Sequence, residues 1–582
     1  MHRKIEQTEA VFVIRKYKSV MHAALAIEAV SYLVSLTDTL VAGNMINQDA
    51  LVAIGLMSPF QFAAMFLSAM INSGTMLNYT RCIGRFENKR AQEVFRHGCV
   101  LALAVGTLFA LFMLAVRERF LIKTAVSAAT RGYQKEYYDV IIWYYLSLPF
   151  YTVLDNTVMN TGGEKLSSAA NIVQTVSNVL LSILLSRSLD VKGIALAAVL
   201  CQFTAMGMVG AWLLRKRVPA GFSLSFSLRD FLSILQEGIG RSVFFAMTSI
   251  MTAIMNVYTA GRFGTNAVTV FIVVMKIVDI SVIFMGLALA LQPFIGMLRG
   301  EKNTKAERQL MQEACRSMLI YGTAAAIAAI VFAPLLAAAF GVGSGALGAA
   351  AVLGVRIAGA SLAVRALLML FFVYYYLTDR RVPMFLITIL SDFAAPVVLG
   401  ILGAAIFGCQ EGIWTGIAVA PILSLFVCTC FVRGVYGKER FPFLLPPRDE
   451  NRICIYDFSL NNENIVAMAE TAGAVLTADG YLTKTVRLFE LLVEELLMLI
   501  REKNADPDEK LSVECTIMLE DDGARLILRD SGIVFDITDE DAKIDSFRQY
   551  LVGQILTIPN VRRYITSAGY NRSEFFFAKG GE

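Results

Sequence analysis

The sequence predicts a polytopic α-helical membrane protein, twelve transmembrane helices in two six-helix bundles, with a C-terminal α/β two-layer sandwich. Three observations carry this: a charge-poor composition, apolar runs recurring at span length, and a change of periodicity after residue 441. Charged residues make up 17% of the chain and hydrophobic ones 56%, whereas about a quarter of a soluble domain is charged. Most of this chain therefore has no aqueous surface to cover. The net charge of +4 is small and its Lys and Arg residues gather in short loops, which argues against nucleic acid as a partner. The nine cysteines are scattered with no C-x-x-C, and Cys428 and Cys430 sit inside an apolar run, so all nine read as packing residues. The three histidines, His2, His22 and His97, form no cluster for zinc or a catalytic triad, and no metal site is expected. Residues 1–18 are polar and lack a signal-peptide pattern.

Runs long enough to span recur roughly at 20–43, 51–78, 97–116, 138–160, 166–187, 191–214, 232–258, 265–292, 315–340, 347–377, 382–407 and 411–433. The bias of positive charge toward the cytoplasm orients them. Arg15, Lys16 and Lys18 precede the first run; Arg81, Arg85, Lys89 and Arg90 follow the second. Lys165, Arg215 to Arg217, Arg299 to Arg308 and Arg380 with Arg381 fall on the same side. The opposite loops are nearly free of Lys and Arg, apart from 117–135. An even number of spans returns the chain to the cytoplasm at Arg433 and Lys438, so both termini are expected there, in a bacterial inner membrane. The expected division is a cytoplasmic N-terminus at 1–19, lobes at 20–214 and 232–433, linkers at 215–231 and 434–449, and a soluble domain at 450–582.

Laying the halves over each other at a shift of about 218 residues brings Leu40-Val-Ala-Gly43 onto Tyr258-Thr-Ala-Gly261 and Lys192-Gly-Ile194 near Glu411-Gly-Ile413. A shift of six helices relates halves of equal orientation, the plan of parallel-repeat transporters with a cavity between the halves.

Asp38-Thr-Leu-Val-Ala-Gly43, Ala53-Ile-Gly55, Pro59, Gly84, Asp190-Val-Lys-Gly-Ile194 and Gln292-Pro-Phe-Ile-Gly296 follow one another in an order and spacing by which residues about 17–433 resemble the multidrug and toxin extrusion (MATE) transporters, within the larger group that also holds oligosaccharide-lipid flippases. Asp38-Thr-Leu-Val-Ala-Gly43, then Ala53-Ile-Gly55 and Pro59, is similar to the family's first helix and the start of its second. Gly84 stands where a lone glycine follows the second helix. Asp190-Val-Lys-Gly-Ile-Ala-Leu-Ala-Ala198 looks like the start of the sixth helix and Gln292-Pro-Phe-Ile-Gly296 like the end of the eighth. The resemblance implies two six-helix bundles forming a V-shaped cleft that opens alternately to each side. It places Asp38 where the family carries the acid that binds H⁺ or Na⁺, with Asn178 as a partner. The family's acid four residues further on is Ser182 here, and a threonine on the sixth helix is replaced by Ala198. Hard cations prefer several charged or carbonyl oxygens, so the change favours H⁺ over Na⁺ as the coupling ion. No other cofactor is implied.

Ionisable groups at membrane depth are costly and default to functional candidates. Glu28 lies ten residues before Asp38, on the same helix face about 15 Å away; it either lines the cavity or is a buried acid bonded to a neighbouring hydroxyl. Asp155 and Asn156 either contact a cationic substrate or serve a helix end. Glu237 with Arg241, and Lys276 with Asp279, are spaced for mutual neutralisation. Arg356 and Arg365 have no acid within four residues; either Asp392 matches them or they favour an anionic substrate.

After Phe441-Pro-Phe-Leu-Leu-Pro-Pro447 short alternating strands follow amphipathic helices. Residues 450–582 resemble the ATPase fold of anti-sigma-factor and histidine kinases, through a helix bearing Glu494 and Glu495 and the turn Asp530-Ser-Gly532. The resemblance implies that Asp530 and Gly532 would hold adenine and that Glu495 would polarise water. The Mg²⁺-binding Asn expected four residues after Glu495 is Leu499, and the glycine-rich lid is reduced to Gly553 in Leu551-Val-Gly-Gln-Ile555. Phosphate cradles need several backbone amides at unusual angles, so a degenerate regulatory domain is expected, with nucleotide binding weak and no enzymatic turnover.

The leading expectation is a secondary antiporter that exports a small cationic or amphipathic compound on an H⁺ or Na⁺ gradient, with a regulatory protein as a partner of the C-terminal domain. A lipid-linked oligosaccharide flippase and a membrane sensor signalling through that domain are the alternatives. A flippase needs a cationic groove, at which Arg356 and Arg365 hint.

Overall fold

The computed structural model describes residues 7–84, 88–124, 126–160, 163–215, 227–445, 452–504, 511–533, 562–565 and 570–578. The lid segment 551–555, residues 534–536 and most of the linker 215–231 lie outside them, as do the side chains of Arg81, Arg85 and Arg241.

Helix α1 (Val11–Val41) runs into a π-helical turn (Ala42–Ile46), and Asn47 then caps α2 (Gln48–Gly55) by accepting from the Ala50 amide at 2.8 Å. There follow α3 (Ser58–Gly84), α4 (Asn88–Thr124), α5 (Ala128–Asn160), α6 (Glu164–Arg215), α7 (Leu228–Val278), α8 (Ser281–Leu289), α9 (Gln292–Gly300) and α10 (Thr304–Val331). Then come α11 (Ala333–Ala339), α12 (Gly345–Ala360), α13 (Leu362–Leu377), α14 (Arg381–Ile389), a second π-helical turn (Leu390–Ala394), α15 (Ala395–Phe407) and α16 (Glu411–Tyr436). The expected runs are mostly helical, but 51–78, 265–292, 315–340 and 347–377 are broken by turns at Leu56–Met57, at Asp279–Ile280 and Ala290–Leu291, at Phe332 and at Ser361.

Among the described residues seven helical runs are long and apolar enough to cross a membrane, or eight if the pair α12 and α13, bent by 44°, counts as one. Two of these, Lys165–Arg215 at 51 residues and Ser242–Gly300 at 59, far exceed the roughly 20 residues of one crossing. Each is interrupted where the backbone leaves the helix, at Asp190 (φ 47°, ψ −136°) and at Gly264 (φ 77°, ψ −167°). Only glycine takes the second conformation without strain. The first long run thus contains the expected spans 166–187 and 191–214, and the second holds 265–292 with most of 232–258.

By contact the chain forms two compact units, Ala26–Gly286 with Met318–Phe431, and Met1–Leu25 with Leu287–Ser317 and Val432–Glu582. In the first, α3 and α7 approach backbone to backbone. A Cβ on Gly74 would stand 1.8 Å from the carbonyl oxygen of Ile234, and one on Gly238 1.8 Å from that of Met70. Small residues let helices pack this closely where lipid supplies no hydrophobic driving force.

The second unit contains a five-stranded antiparallel sheet in the order β1 (Ile453–Ser459), β2 (Ser512–Leu519), β3 (Gly523–Asp530), β5 (Asn571–Ala578), β4 (Arg562–Ile565). Alternation along the strands gives the sheet two unlike faces. Tyr456, Val513, Cys515, Leu526, Leu528 and Phe575 point to one, where α17 (Asn462–Ala478) and α18 (Thr483–Lys503) cover them with Ile465, Met468, Phe489 and Leu496. The other face carries a transverse row of charge, Asp457, Glu514, Arg529 and Arg572, paired strand to strand. The free edge of β1 is taken up by the N-terminal segment: the Thr8 amide donates to Ile455 O at 2.8 Å, and the Asp457 amide to Thr8 Oγ1 at 3.0 Å. Such pairing blunts an edge that would otherwise recruit another chain.

Candidate functional site

Asp38 lies one turn before the π-helical end of α1, part-buried, and three helices supply its surroundings. Tyr137 of α5 donates its hydroxyl to Asp38 Oδ2 at 3.5 Å. Ser182 of α6 reaches the same carboxylate while giving its own hydrogen to Asn178 Oδ1 at 2.9 Å. Asp38 Oδ1 is buried with no hydrogen-bond donor on it among the described residues. Tyr137 belongs to a buried apolar cluster that also holds Val41, Ala42, Tyr145 and Ala198. Asp38, Asn178 and Ser182, named together from sequence, are thus brought together; Tyr137 is an addition that comes from a helix 99 residues away.

Lys276 near the end of α7 stands within electrostatic reach of Asp38. Its Nζ is 3.8 Å from Asp279 Oδ2, the expected i,i+3 pairing, and its backbone oxygen accepts from Tyr32 of α1. Asp279 in turn faces Arg365 of α13 together with Asp392 of the second π-helical turn. Arg365 is buried and donates to Ser361 Oγ and to Ile417 O, both at 3.2 Å, while Asp392 accepts from Ser391 Oγ at 2.7 Å. Asp38, Lys276, Asp279, Arg365 and Asp392 therefore form a chain of alternating charge. Asp392 serves Arg365, and Arg356 is exposed on α12, apart from this chain.

Asp155 is buried and fully engaged, accepting from Ser167 Oγ at 2.6 Å and from Asn171 Nδ2 at 3.2 Å, so it pins α5 to α6. Asn156 donates to Thr152 O on its own helix at 3.1 Å. Glu28 lies against the backbone of Gly286 in α8: a Cβ there would stand 2.5 Å from Glu28 Oε1.

The MatE family model matches residues 24–184, the stretch that holds Asp38, Tyr137, Asn178 and Ser182. Solved structures extend the likeness. The inward-facing conformation of a multidrug resistance MATE family transporter of the MOP superfamily superposes with a TM-score of 0.63 at 20% identity, over 69% of this chain and 94% of that one. The outward-facing conformation of such a transporter gives 0.58 at 22%, over 74% and 98%. A MOP superfamily transporter from Pyrococcus furiosus, described as having reversed polarity in its binding pocket, gives 0.59 at 21%, over 74% and 98%. The membrane part has the MATE fold. No curated protein sequence matches the chain. With the MATE fold and its apolar helices the chain is a multi-pass membrane protein.

The C-terminal strands lie beyond the residues that the MatE model matches. There the turn after β3 is wired from both sides. Asp530 is buried and its Oδ1 accepts from the Gly532 amide at 3.0 Å and from Asn571 Nδ2 at 2.8 Å. The Ile533 amide donates to Asn504 Oδ1 at 2.6 Å. Glu495 is half-buried on α18, and Leu499, one turn on, is buried in the core against the sheet. On the opposite face Arg529 meets Glu514 and Glu301. Burial disfavours charge on Arg529, but the two carboxylates outweigh it and hold its pKa above the ordinary guanidinium range. Among the described residues no group of three or more His, Cys, Asp or Glu is arranged to hold a metal ion.

Proposed function

We propose that this chain is a secondary antiporter that exports a small cationic or amphipathic compound in exchange for H⁺ through Asp38. The observation that carries the reading is the Asp38 site itself, an acid enclosed by Tyr137, Ser182 and Asn178 inside a MATE fold. An acid held between hydroxyls with one oxygen unpartnered is suited to gain and lose a proton. In its neutral form it has a hydrogen to give, and Ser182 Oγ has a lone pair to take it. Sodium fits less well, since it wants several anionic or carbonyl oxygens and Lys276 already places a positive charge beside the carboxylate.

The charged chain supports a cationic substrate: Asp38, Asp279 and Asp392 against Lys276 and Arg365 leave one negative charge in excess when all are ionised (3 − 2 = 1). The same pairing weighs against the flippase alternative, because Arg365 is already matched by acids and leaves no cationic groove with Arg356. Residues 7–20, the connection 300–308 and the C-terminal strands pack in one unit, and the Lys and Arg bias makes that side cytoplasmic. We read the C-terminal domain as a degenerate ATPase fold with a regulatory task, since Leu499 points into the core where a Mg²⁺ ligand would be needed and Asp530 is already occupied by Asn571.

The test is uptake into proteoliposomes under an imposed pH or Na⁺ gradient over a panel of organic cations, anions and neutral amphiphiles. Export driven by ΔpH and lost in Asp38→Asn supports the reading; transport driven by ΔNa⁺ alone, or none with either gradient, overturns it.

A further inference from the structure

Glu301 occupies the connection between α9 and α10, a place where an acid is ordinarily solvated, yet it is 1% exposed. Its two oxygens are taken by different strands: Oε1 accepts from Arg572 Nε at 2.6 Å, and Oε2 from Arg529. Arg529 goes on to Glu514 and Arg572 to Glu574, the latter at 2.7 Å. The face of the sheet that carries these charges is therefore buried, although an α/β sandwich with helices on one side only would leave it in water. What covers it comes from two distant parts of the chain.

The connection after α9 supplies Glu301 and also Lys305, which donates to Ile453 O at 3.1 Å. The N-terminus supplies Thr8 on the β1 edge and Phe12, whose ring meets Tyr570 edge-on at 5.3 Å. Tyr570 stacks on Phe294 of α9 at 6.5 Å, and Phe294 meets Tyr17 of α1 at 6.1 Å. Lys18 pairs with Glu313 of α10 at 2.6 Å. Tyr570, from the C-terminal domain, thus adds a bridge between α1 and α9 beside the direct contacts of α1 at Tyr17–Phe294 and Lys18–Glu313. A buried ion network of this kind costs desolvation and contributes orientation more than stability, which suits a contact that must form in one place and release.

We propose that the C-terminal domain is a latch on the cytoplasmic ends of the two lobes, held shut by the grip of Arg529 and Arg572 on Glu301. It rests on the antiporter reading in one respect: only a protein that opens toward the cytoplasm has an inner gate to latch. While Phe12 and Phe294 both hold the Tyr570 ring, the domain ties α1 to α9, so inward opening on this proposal goes with the domain letting go of the 300–305 connection.

The experiment uses the full chain in phospholipid nanodiscs, with spin labels attached through genetically encoded ketone side chains in place of Lys89 and Arg381. Both positions are exposed, and this chemistry leaves the nine cysteines untouched. Pulsed dipolar spectroscopy reads the inner separation of the lobes in the otherwise wild-type protein, in Glu301→Gln and in Arg572→Gln, while hydrogen exchange of β3 reports whether the domain has let go. The expected result is faster exchange in β3 together with at least a doubling of the population at the longer distance. Unchanged exchange in both variants overturns the grip, and released strands with an unchanged distance distribution overturn the latch. Should either variant fail to fold, Tyr570→Ala in the full chain takes its place; a wild-type distance distribution there also overturns the proposal. A shift in distance from a protein that transports nothing under either gradient would keep the latch and remove the antiporter reading.

Discussion

Arg529 and Arg572 are register partners on neighbouring strands, and both direct a guanidinium N–H to the single carboxylate of Glu301. Like charges directly opposite in a sheet repel, so the pair is tolerated because an acid from 228 residues earlier in the chain stands between them. Removing one member of a buried ion network costs about 3–5 kcal/mol, because the partner remains buried and uncompensated. Glu301→Gln is therefore expected to lower the thermal midpoint of the purified full-length protein clearly. Asp521→Asn, at an exposed pair with Arg452, should leave it unchanged. Differential scanning fluorimetry in detergent separates the two.

Asp38→Asn keeps the volume and loses the ionisable group. It should leave expression and folding intact and abolish gradient-driven transport. Tyr137→Phe is milder, since the hydroxyl sits 3.5 Å from the carboxylate. A hydrogen bond of net worth about 0.5–1.5 kcal/mol corresponds to a change of about two- to tenfold. Initial rates of uptake under a fixed ΔpH check both.

The close approach of α3 and α7 predicts that Gly74→Ala and Gly238→Ala disturb packing more than Gly207→Ala, whose Cβ would meet nothing within 4 Å. Overpacking of a tight contact costs about 1–3 kcal/mol. The first two should lower the thermal midpoint and the third should not.

The C-terminal domain should show no Mg²⁺-dependent ATP hydrolysis in the full-length protein, because phosphoryl transfer depends on a bridging metal and Leu499 offers it no oxygen. Clear phosphate release that disappears in Glu495→Ala would reverse this assignment. Leu499→Asn is expected to destabilise the domain rather than activate it, since it places an amide in an apolar core without a partner.

The spans were legible because their apolar length is a property of each segment alone, and so was the pairing of Lys276 with Asp279, which local helix geometry dictates. Asp38, Asn178 and Ser182 were reached through resemblance, and the fold links them through Ser182, which reaches Asp38 and donates to Asn178. Tyr137 could not be found that way: its helix is rich in tyrosines, and only tertiary packing selects one of them for Asp38. Asp155 fits a substrate contact and a helix-end role equally well by sequence, and its bonds to Ser167 and Asn171 are ones that no spacing reveals. Glu301 was invisible for a simpler reason, since an acid in a short charged loop normally faces water. Its burial depends on a sheet more than two hundred residues downstream.

The two π-helical turns follow Asp38 and enclose Asp392. Such a turn holds one residue more than an α turn. If the extra residue is annealed out, everything beyond it on the helix rotates by about 100° and advances by about 1.5 Å. At 390–394 that motion would swing Asp392 off the side facing Arg365 without unfolding the helix or breaking a covalent bond. The widened turn is thus a one-residue gear tooth, able to exchange a small slide along the helix axis for a large change in which direction an acid points.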